Sequence, residues 1–337
     1  MTAAGRILLT GATGFIGRRL LRSLLADGIP PDGLCCLVRD PGQLAEFGLP
    51  AAAIVQGSLA DRAALDRATA AARVTCHLAG AIKAFSRAEF LAANAQGTAN
   101  LIAALEANAP RSRLVLVSSL AAAGPSVDGS GSAEAPERCR PVSEYGESKR
   151  QGELQVAGAR TLEWLVLRPP LVYGPGDSAT RLLFRQALAP LVPVPRPPRP
   201  LSIIHVDDVV AAVRLAVAGT AARMFLPLDG PERLDTDVLM RMLAAACGRR
   251  ARLLPLPLWL GRCGAWIAEG FCRLRGRPGI FSRDKLREVA AAGWVADGGP
   301  VRRALGFAPA IGPAAGFAAV ARTEGFAATV PLSPPVS

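Results

Sequence analysis

The chain has 337 residues, half of them hydrophobic and 20% charged, which suits one large domain or an unequal pair and excludes disorder. Its apolar stretches are interrupted by Arg, Glu, Pro or Gly, which argues against a membrane-spanning helix. The net charge is +12, from 39 Lys and Arg against 27 Asp and Glu. Because the arginines are scattered and aromatic residues make up only 5% of the chain, we expect no nucleic-acid partner.

Short apolar runs alternate with segments of helical periodicity through the first two hundred residues. Six runs have the character of strands: 6–10, 34–39, 53–56, 74–78, 114–118 and 162–167. Their spacing of roughly 20 to 40 residues is typical of right-handed βαβ units. The sequence therefore predicts an α/β fold built on a doubly wound parallel Rossmann sheet.

The composition changes near residue 175. The proline-rich stretch 190–200 predicts a loop, since proline is unsuited to helices and interior strands. Residues 202–219 have the pattern of a strand followed by a helix, and the remainder predicts a smaller, mostly helical unit. We expect a Rossmann domain over 1–174 and about 202–222, a second domain over 175–201 and 223–330, and a tail over 331–337.

The cysteines indicate a reducing compartment. There are seven of them, at positions 35, 36, 76, 139, 247, 263 and 272, with no CxxC pair. An odd number without paired spacing predicts buried free thiols rather than a disulfide framework. The first residues run directly into a strand without the charged and apolar regions of a signal peptide. We therefore expect a cytoplasmic protein.

A glycine-rich turn follows the first predicted strand and opens a helix. Its glycines would let the backbone approach a pyrophosphate at the helix N-terminus, which predicts dinucleotide binding. The predicted cofactor contacts are Gly11, Thr13, Gly14, Phe15, Ile16 and Gly17.

Arg39 ends the second predicted strand and bears on the choice of dinucleotide. An acidic residue there would bind the ribose hydroxyls of NAD, whereas an arginine suits the 2′-phosphate of NADP. The sequence therefore favours NADP(H) over NAD(H). The alternative is that Arg39 is a solvated strand-end residue and that Asp40 binds the ribose.

Tyr145 and Lys149 are four residues apart in a helical segment and therefore share a face. Ser118 and Ser119 end the strand LVLVSS, at the sheet edge where such folds bind ligands. A tyrosine hydroxyl, with a pKa of about 10, acts as an acid or base near neutrality only when a cation stabilises its phenolate. Lys149 and an oxidised nicotinamide would provide that positive charge.

With these residues the chain resembles the extended short-chain dehydrogenase/reductase family, also described as the NAD-dependent epimerase/dehydratase family. The resemblance covers essentially the whole length. It is carried by TGATGFIG at 10–17, HLAGA at 77–81, Asn94 with Gly97 and Thr98, VSS at 117–119, YGESK at 145–149, LRPPLVYGPGD at 167–177 and HVDDV at 205–209.

The resemblance implies roles for individual residues. Tyr145 would be the general acid/base, Lys149 would lower its pKa and hold the nicotinamide ribose, and Ser119 rather than Ser118 would bind the reacting oxygen. Ser58 stands where relatives often have an Asp beside the adenine, which weakens that contact. The remaining implied cofactor contacts are Leu59 beside Ser58, Ala79 and Gly80 near the ribose, and Arg168 and Pro169 beside the cofactor. Relatives often dimerise through the Tyr/Lys helix, so the resemblance allows a homodimer.

Differences from relatives reduce the number of reactions that the chain is expected to catalyse. The segment 118–124 lacks the acidic pair of dehydratases, and Leu171 and Leu201 stand where sugar-nucleotide epimerases carry Asn and Arg. A cleft lined in this way suits an apolar substrate better than a charged one. The predicted cleft residues are Ala81, Ser119, Ala121, Leu171 and Leu201.

We therefore predict an NADP(H)-preferring enzyme that reduces a ketone, or oxidises the alcohol, of a lipid- or steroid-like substrate, with a 3-keto sphingoid or ceramide lipid as a specific hypothesis. A nucleotide-sugar 4-epimerase is the alternative, with Arg196 and Arg199 replacing the missing contacts. A non-catalytic cofactor-sensing protein is a third interpretation, disfavoured because a sensor needs no proton donor.

Two further features have competing interpretations. His77 and His205 are far apart in the sequence and have no cysteine pair to complete a metal site, so we expect no metal. We interpret His77 as a core residue and His205 as the residue that opens a helix. Residues 253–279 form an apolar run with two tryptophans followed by arginines. This run is either a core helix or a helix at a membrane surface, which would give peripheral membrane contact.

Overall fold

The computed structural model describes residues 5–257, 279 and 282–327. Its strands, in chain order, are β1 (Arg6–Thr10), β2 (Leu34–Val38), β3 (Ile54–Gln56), β4 (Ala72–His77), β5 (Arg113–Val117), β6 (Glu163–Arg168), β7 (Leu171–Tyr173), β8 (Val192–Pro195), β9 (Pro200–His205), β10 (Met224–Pro227), β11 (Arg233–Asp235) and β12 (Leu253–Leu256). Its α-helices are α1 (Phe15–Ala26), α2 (Arg62–Thr69), α3 (Arg87–Leu91), α4 (Gly97–Asn108), α5 (Leu120–Ala123), α6 (Glu144–Ala157), α7 (Ser178–Ala187), α8 (Val206–Ala218), α9 (Thr236–Ala246), α10 (Arg283–Ala290), α11 (Gly299–Leu305) and α12 (Pro313–Thr323). A π-helical turn, Ala92–Gln96, joins α3 to α4.

The main sheet is parallel, with the order β3-β2-β1-β4-β5-β6-β10 among the described strands. The six strands predicted from the sequence are confirmed, each within two residues. The chain leaves β1 toward β2 on one side and returns at β4 on the other, so a crevice opens at the carboxyl ends of β1 and β4. The predicted Rossmann fold is therefore confirmed.

The sheet separates two hydrophobic cores because its central strands are buried on both faces. On one face Leu9 packs with apolar residues of α1 and α8. On the other face Leu8 packs with residues of α2, α4 and α6. The prediction that 202–219 form a strand and then a helix returning to the first domain is confirmed, since β9 leads directly into α8.

A smaller unit has its own core. Its three-stranded sheet has the order β11-β9-β7, and β8 pairs with β12 in a separate ribbon. Tyr173, Phe184 and Phe317 are fully buried there, and the ring of Phe317 contacts Tyr173 in a tilted pair and Phe184 edge-on. The carboxyl end of β9 joins this core to the core that contains Leu9, since Ile203 packs in the first and Ile204 in the second.

The structure corrects two predictions about this region. The stretch 190–200 is not entirely loop, since β8 lies within it. The prolines are tolerated because the ribbon has two strands, so each strand has an unpaired edge. Val192 donates its N–H to the carbonyl of Arg252 (2.9 Å), whereas the prolines that alternate with Val192 have their backbone nitrogens directed away from β12. Residues 224–227, which were assigned to the second part of the second domain, form β10 and pair with β6 in the main sheet.

Some predictions lie outside the described residues. Of the apolar run 253–279, only 253–257 and Gly279 are described, and the tail 331–337 falls outside entirely. Five of the seven cysteines are described, and all five are buried free thiols, as predicted. No helix in the described part of the chain has the length and apolarity needed to cross a bilayer.

A buried ion pair joins β6 to α6. The guanidinium of Arg168 donates to both oxygens of Glu153 (3.0 and 2.6 Å), and both side chains are fully buried. Its remaining donors bind the carbonyls of Ser132 (2.8 Å) and Glu134 (2.7 Å) and the sulfur of Cys139 (3.4 Å). Arg168 therefore also holds the loop that precedes α6.

Replacing Arg168 with Met should lower the free energy of unfolding by about 3 to 5 kcal/mol, because the Glu153 carboxylate is left buried without a partner. The double variant Arg168→Met/Glu153→Leu should be more stable than the single one. Urea unfolding measures both differences. Arg62→Met, which removes an exposed ion pair with Asp66, is the control and should change stability little. Equal losses in the single and double variants would contradict the prediction.

Candidate active site

The turn between β1 and α1 is fixed by backbone approaches that require glycine. Gly11 has φ +78°, and a Cβ there would lie 2.6 Å from the amide nitrogen of Ala79. A Cβ on Gly17 would overlap the carbonyl oxygen of Gly11. The structure thus brings the glycine turn against the end of β4, where Ala79 and Gly80 were predicted to lie near a cofactor.

The N-terminus of α1 is open for an anion. Gly14 is the N-cap and is exposed, and no side chain among the described residues caps the helix. The first-turn amides of Phe15 and Ile16 therefore face outward, next to Thr13. Glycine at the cap, free amides and the positive end of a helix fit a pyrophosphate group.

The ends of β2 and β3 form the adjoining part of the crevice. The Arg39 side chain is exposed and lines one groove with Gly57 and Ser58. Both oxygens of Asp40 are engaged, one by the amide of Gly42 (3.0 Å) and one by the Gln43 side chain (3.2 Å). Leu59 accepts a hydrogen bond from Asn100 through its carbonyl (2.8 Å), which fixes the loop after β3.

A buried asparagine shapes the loop after β4. The Asn94 side chain accepts from the amide of Ala81 (2.7 Å) and donates to its carbonyl (2.9 Å) and to Ser148 (2.8 Å). A Cβ on Gly80 would lie 2.7 Å from Asn94 Oδ1 and 3.2 Å from Lys149 Nζ. Asn94 entered the sequence analysis only as part of a motif, and the structure assigns it the task of holding this loop against α6.

Ser119 and Tyr145 meet at the carboxyl end of β5. The Ser119 side chain lies near enough to the Tyr145 hydroxyl to lower its pKa. Ser119 is also the N-cap of α5 and accepts from the amide of Ala121 (3.1 Å), which fixes its rotamer. The Oγ of Ser118 is buried and has no partner in the described part of the chain. The structure therefore places Ser119, and not Ser118, beside the tyrosine.

Burial opposes charge on both groups of the Tyr/Lys pair. Burial raises the pKa of Tyr145 to about 12. The Ser119 side chain lowers this pKa and so opposes the effect of burial, while the charge of Glu288 raises it further. Burial lowers the pKa of Lys149 to about 8, partly offset by Glu153. Lys149 Nζ donates to the carbonyl of Val117 (3.3 Å). At neutral pH the phenol is thus neutral and the amine mostly charged.

Lys149 is predicted to lower the pKa of Tyr145, and that role stays a prediction. Among the described contacts, its ammonium has no hydrogen bond to the phenol. Lys149 lies one turn further along α6, where its amine is directed at the end of β5 and the Gly80 loop. The distribution of charge therefore leaves Tyr145 a proton donor in this structure.

The two histidines have structural partners. His77 is fully buried, with its ring nitrogens bonded to the hydroxyls of Thr10 (2.6 Å) and Thr98 (2.9 Å). Burial, and then the charge of Lys149, lower the pKa of His77 to about 3. His205 is the N-cap of α8 and accepts from the amide of Asp207 (3.3 Å). Both therefore lie where the sequence analysis placed them.

Two carboxylates from α10 hold the N-terminus of the Tyr145 helix. Asp284 accepts hydrogen bonds from the amides of Glu144 (2.7 Å) and Tyr145 (3.1 Å). The Ser143 hydroxyl, which caps α6, donates to Glu288 (2.7 Å). Neither acid was predicted from the sequence, since both lie about 140 positions from their partners in a segment without a recognisable motif. The smaller unit is thereby coupled directly to Tyr145.

The predicted substrate residues divide into two groups. Ala81 and Ala121 lie beside the Asn94 loop and Ser119, and Leu171 is 37% exposed. Leu201 was wrongly predicted to line the cleft: it is 7% exposed and packs in the core of the smaller unit, where β9 pairs with β11. Ile82, which follows Ala81, is 63% exposed and was not predicted.

Arg168 does not contact the crevice either. Its side chain was predicted to lie beside a cofactor, but it is fully buried and its donors are bound within the protein. Glu153 on α6 draws it to the opposite side of the strand end. Pro169 remains close to the site, since its carbonyl accepts from the amide of Leu120 (2.8 Å), beside Ser119.

Comparisons with known proteins agree with this geometry. The model of the NAD dependent epimerase/dehydratase family matches residues 7–223. The chain is 35% identical over 305 residues to a ceramide reductase of Caulobacter vibrioides, covering 89% of this chain and 88% of the relative. It is 27% identical to a UDP-glucose 4-epimerase of Vibrio cholerae, covering 82% and 84%. A solved dTDP-glucose 4,6-dehydratase of Streptomyces venezuelae has the same fold, with a TM-score of 0.75 and 21% identity over 95% of this chain and 97% of that one.

The low pKa of His77 predicts loss of stability in mild acid. Because its pKa is about 3 in the folded protein and 6.5 ordinarily, protons bind the unfolded chain preferentially, and stability is lost as the pH falls below about 6.5. Between pH 7.5 and pH 5 this group should cost about 2 kcal/mol. Urea unfolding at both values should show a correspondingly smaller loss for His77→Gln, which has no titrating ring. The same loss in both proteins would contradict the assignment.

Proposed function

The chain belongs to the NAD dependent epimerase/dehydratase family, and we propose that it is a nicotinamide-dependent oxidoreductase that reduces a ketone of a hydrophobic, lipid-like substrate or oxidises the corresponding alcohol. The observation that carries the proposal is the proximity of Tyr145 and Ser119 at the carboxyl end of β5, with Lys149 buried on the same helix. A non-catalytic sensor would need no proton donor at this position.

The site fits a nicotinamide dinucleotide. The glycine turn and the open N-terminus of α1 suit a pyrophosphate. Lys149 keeps donors for ribose hydroxyls, since its bond to Val117 is its one hydrogen bond among the described residues. A bound dinucleotide supplies hydride transfer to or from a carbon atom. The protein's own part is to hold and protonate the oxygen of the substrate.

Tyr145 is suited to act as a general acid. Its phenol is neutral at physiological pH and can therefore donate a proton to the carbonyl oxygen of a ketone. Ser119, held by the amide of Ala121, binds the same oxygen. Asn94 and Asp284 hold the elements on which these groups lie.

An apolar substrate suits the remaining surroundings. Ala81, Ala121 and Leu171 offer no charged or hydrogen-bonding side chain, and Ile82 extends the apolar surface. A hydrated phosphate would lose solvation without gaining partners there. The similarity to a ceramide reductase supports a long-chain 3-keto sphingoid or ceramide lipid as the substrate.

A nucleotide-sugar 4-epimerase is a second candidate. It is favoured by the similarity to the Vibrio cholerae epimerase and by Arg199, whose Nε is buried without a partner in the described part of the chain. Leu201 packs in a core and does not disfavour a sugar nucleotide, so of the two leucines Leu171 alone does so. Isomerisation of a UDP-sugar without net consumption of reduced cofactor would select this candidate.

We further infer a preference for NADPH. Arg39 is exposed beside Ser58 at the end of β2, in the position that meets a 2′-phosphate, while Asp40 is occupied in capping the next turn. The alternative, in which Asp40 binds the ribose, would require breaking that cap.

The catalytic assignment predicts that Tyr145→Phe lowers kcat by about 10² to 10⁴ while cofactor binding is retained, because the proton donor alone is removed. The assay follows the absorbance of the reduced cofactor with a long-chain 3-keto lipid in mixed micelles. Ser119→Ala should also lose activity, whereas Ser118→Ala, which removes a buried hydroxyl without a partner, is the matched control. Full activity of Tyr145→Phe would overturn the proposal.

The cofactor inference predicts that Arg39→Ala weakens NADPH binding about tenfold to a hundredfold and leaves NADH binding nearly unchanged, because only the 2′-phosphate contact is lost. Fluorescence titration with both cofactors measures the ratio. Arg67→Ala is the control, since Arg67 lines the same groove from α2. A wild-type preference for NADH would refute the inference.

A further inference from the structure

The ribbon formed by β8 and β12 has an apolar face that is exposed. Val192 and Val194 are buried in the core of the smaller unit, so the alternate residues of β8 point outward. Leu191 is 56% exposed and Leu254, paired with the exposed Pro193, is 39% exposed. We call Leu191, Pro193 and Leu254 the outer ribbon face.

Arginines surround this face. Arg249, Arg250 and Arg252 lead into β12 and Arg196 follows β8, and all four are exposed. None of them has an ion pair within the described residues. Arg252 lies in register beside Leu191, since its carbonyl accepts from the amide of Val192. Because the two strands are parallel, three of the charges lie at one end of the ribbon and one at the other.

This arrangement of apolar and basic side chains matches the chemistry of a lipid surface. Leucine and proline side chains gain by entering the boundary between headgroups and acyl chains, while guanidinium groups remain at anionic headgroups. Nucleic acid is the poorer match, because the outer ribbon face has no aromatic side chain on which a base can stack. An uncharged apolar partner would leave the four arginines without counter-charges.

We propose that the outer ribbon face and its four arginines dock the protein on a membrane surface that carries anionic headgroups. Leu191, Pro193 and Leu254 enter the headgroup boundary and the arginines neutralise the lipid charge. The biological purpose rests on the proposed function, since a long-chain keto lipid is held in a bilayer, but the docking itself does not depend on turnover.

The test is co-sedimentation with phosphatidylcholine vesicles, with and without 30 mol% phosphatidylglycerol, at about 0.1 and 0.5 M salt. The wild-type chain should bind the anionic vesicles, and high salt should weaken binding. The triple variant Arg249→Gln/Arg250→Gln/Arg252→Gln should reduce the partition coefficient about 100-fold, at roughly a factor of five for each charge. Leu191→Asp/Leu254→Asp should reduce it at least tenfold.

Matched controls separate the surface from general effects. Leu215→Asp changes a leucine on α8 with the same exposure, 39%, as Leu254. Arg67→Gln/Arg73→Gln/Arg138→Gln removes three exposed charges elsewhere. Both should bind vesicles like the wild type, and thermal unfolding should confirm that all variants are folded. Equal binding by the ribbon variants, or no wild-type binding to either kind of vesicle, would overturn the proposal.

Two further outcomes would also overturn it. A wild-type dimer that Leu191→Asp/Leu254→Asp converts to a monomer, without vesicle binding, would make this face a contact between copies of the chain. Retention of single-stranded DNA in place of vesicles would assign the arginines to nucleic acid. Turnover of a short-chain, water-soluble ketone distinguishes the docking proposal from the reductase proposal. The ribbon variants should retain this turnover. If the wild type lacks this turnover, the result counts against the reductase proposal alone.

Discussion

The ion pair between Arg168 and Glu153 is the interaction on which the site depends. It crosses from the end of β6 to the middle of α6, so it fixes the helix that carries Tyr145 and Lys149 relative to the sheet edge. Two buried charges are costly unless every donor and acceptor is satisfied, and Arg168 achieves this by also binding the loop at 132–139. Glu153 has a second effect, since its charge opposes the loss of the Lys149 proton. One pair therefore supports both the geometry and the charge of the site.

A buried ammonium imposes conditions on its neighbours. Burial, and then the charge of Lys149, keep His77 neutral, and its ring is hydrogen-bonded to two threonines. The loop after β4 approaches Lys149 closely because Gly80 has no Cβ and because Asn94 holds the loop. The amine is thus buried among these groups and mostly charged at neutral pH.

The sequence predicted those parts of the site that depend on local patterns. The glycine turn, the i, i+4 pair of Tyr145 and Lys149, and Ser119 at a strand end each follow from spacing within a few residues, and the six strands follow from apolar runs. Arg168 was misassigned because its partner Glu153 lies 15 positions away on a helix whose facing side is not evident from the sequence. Leu201 was misassigned because burial by β11 is a tertiary property. Asp284 and Glu288 were missed for the same reason, since only the fold brings α10 to the start of α6.

The contact between α10 and α6 ties the smaller unit to Tyr145. Asp284 binds the amides of Glu144 and of Tyr145 itself, and Glu288 raises the pKa of the same tyrosine. A displacement of α10 would release first-turn amides of α6 and remove a negative charge from the neighbourhood of the phenol. Both changes act on the residue that donates the proton. The smaller unit therefore helps to fix the orientation of Tyr145, and it adds to a rise in the pKa of Tyr145 that is caused chiefly by burial.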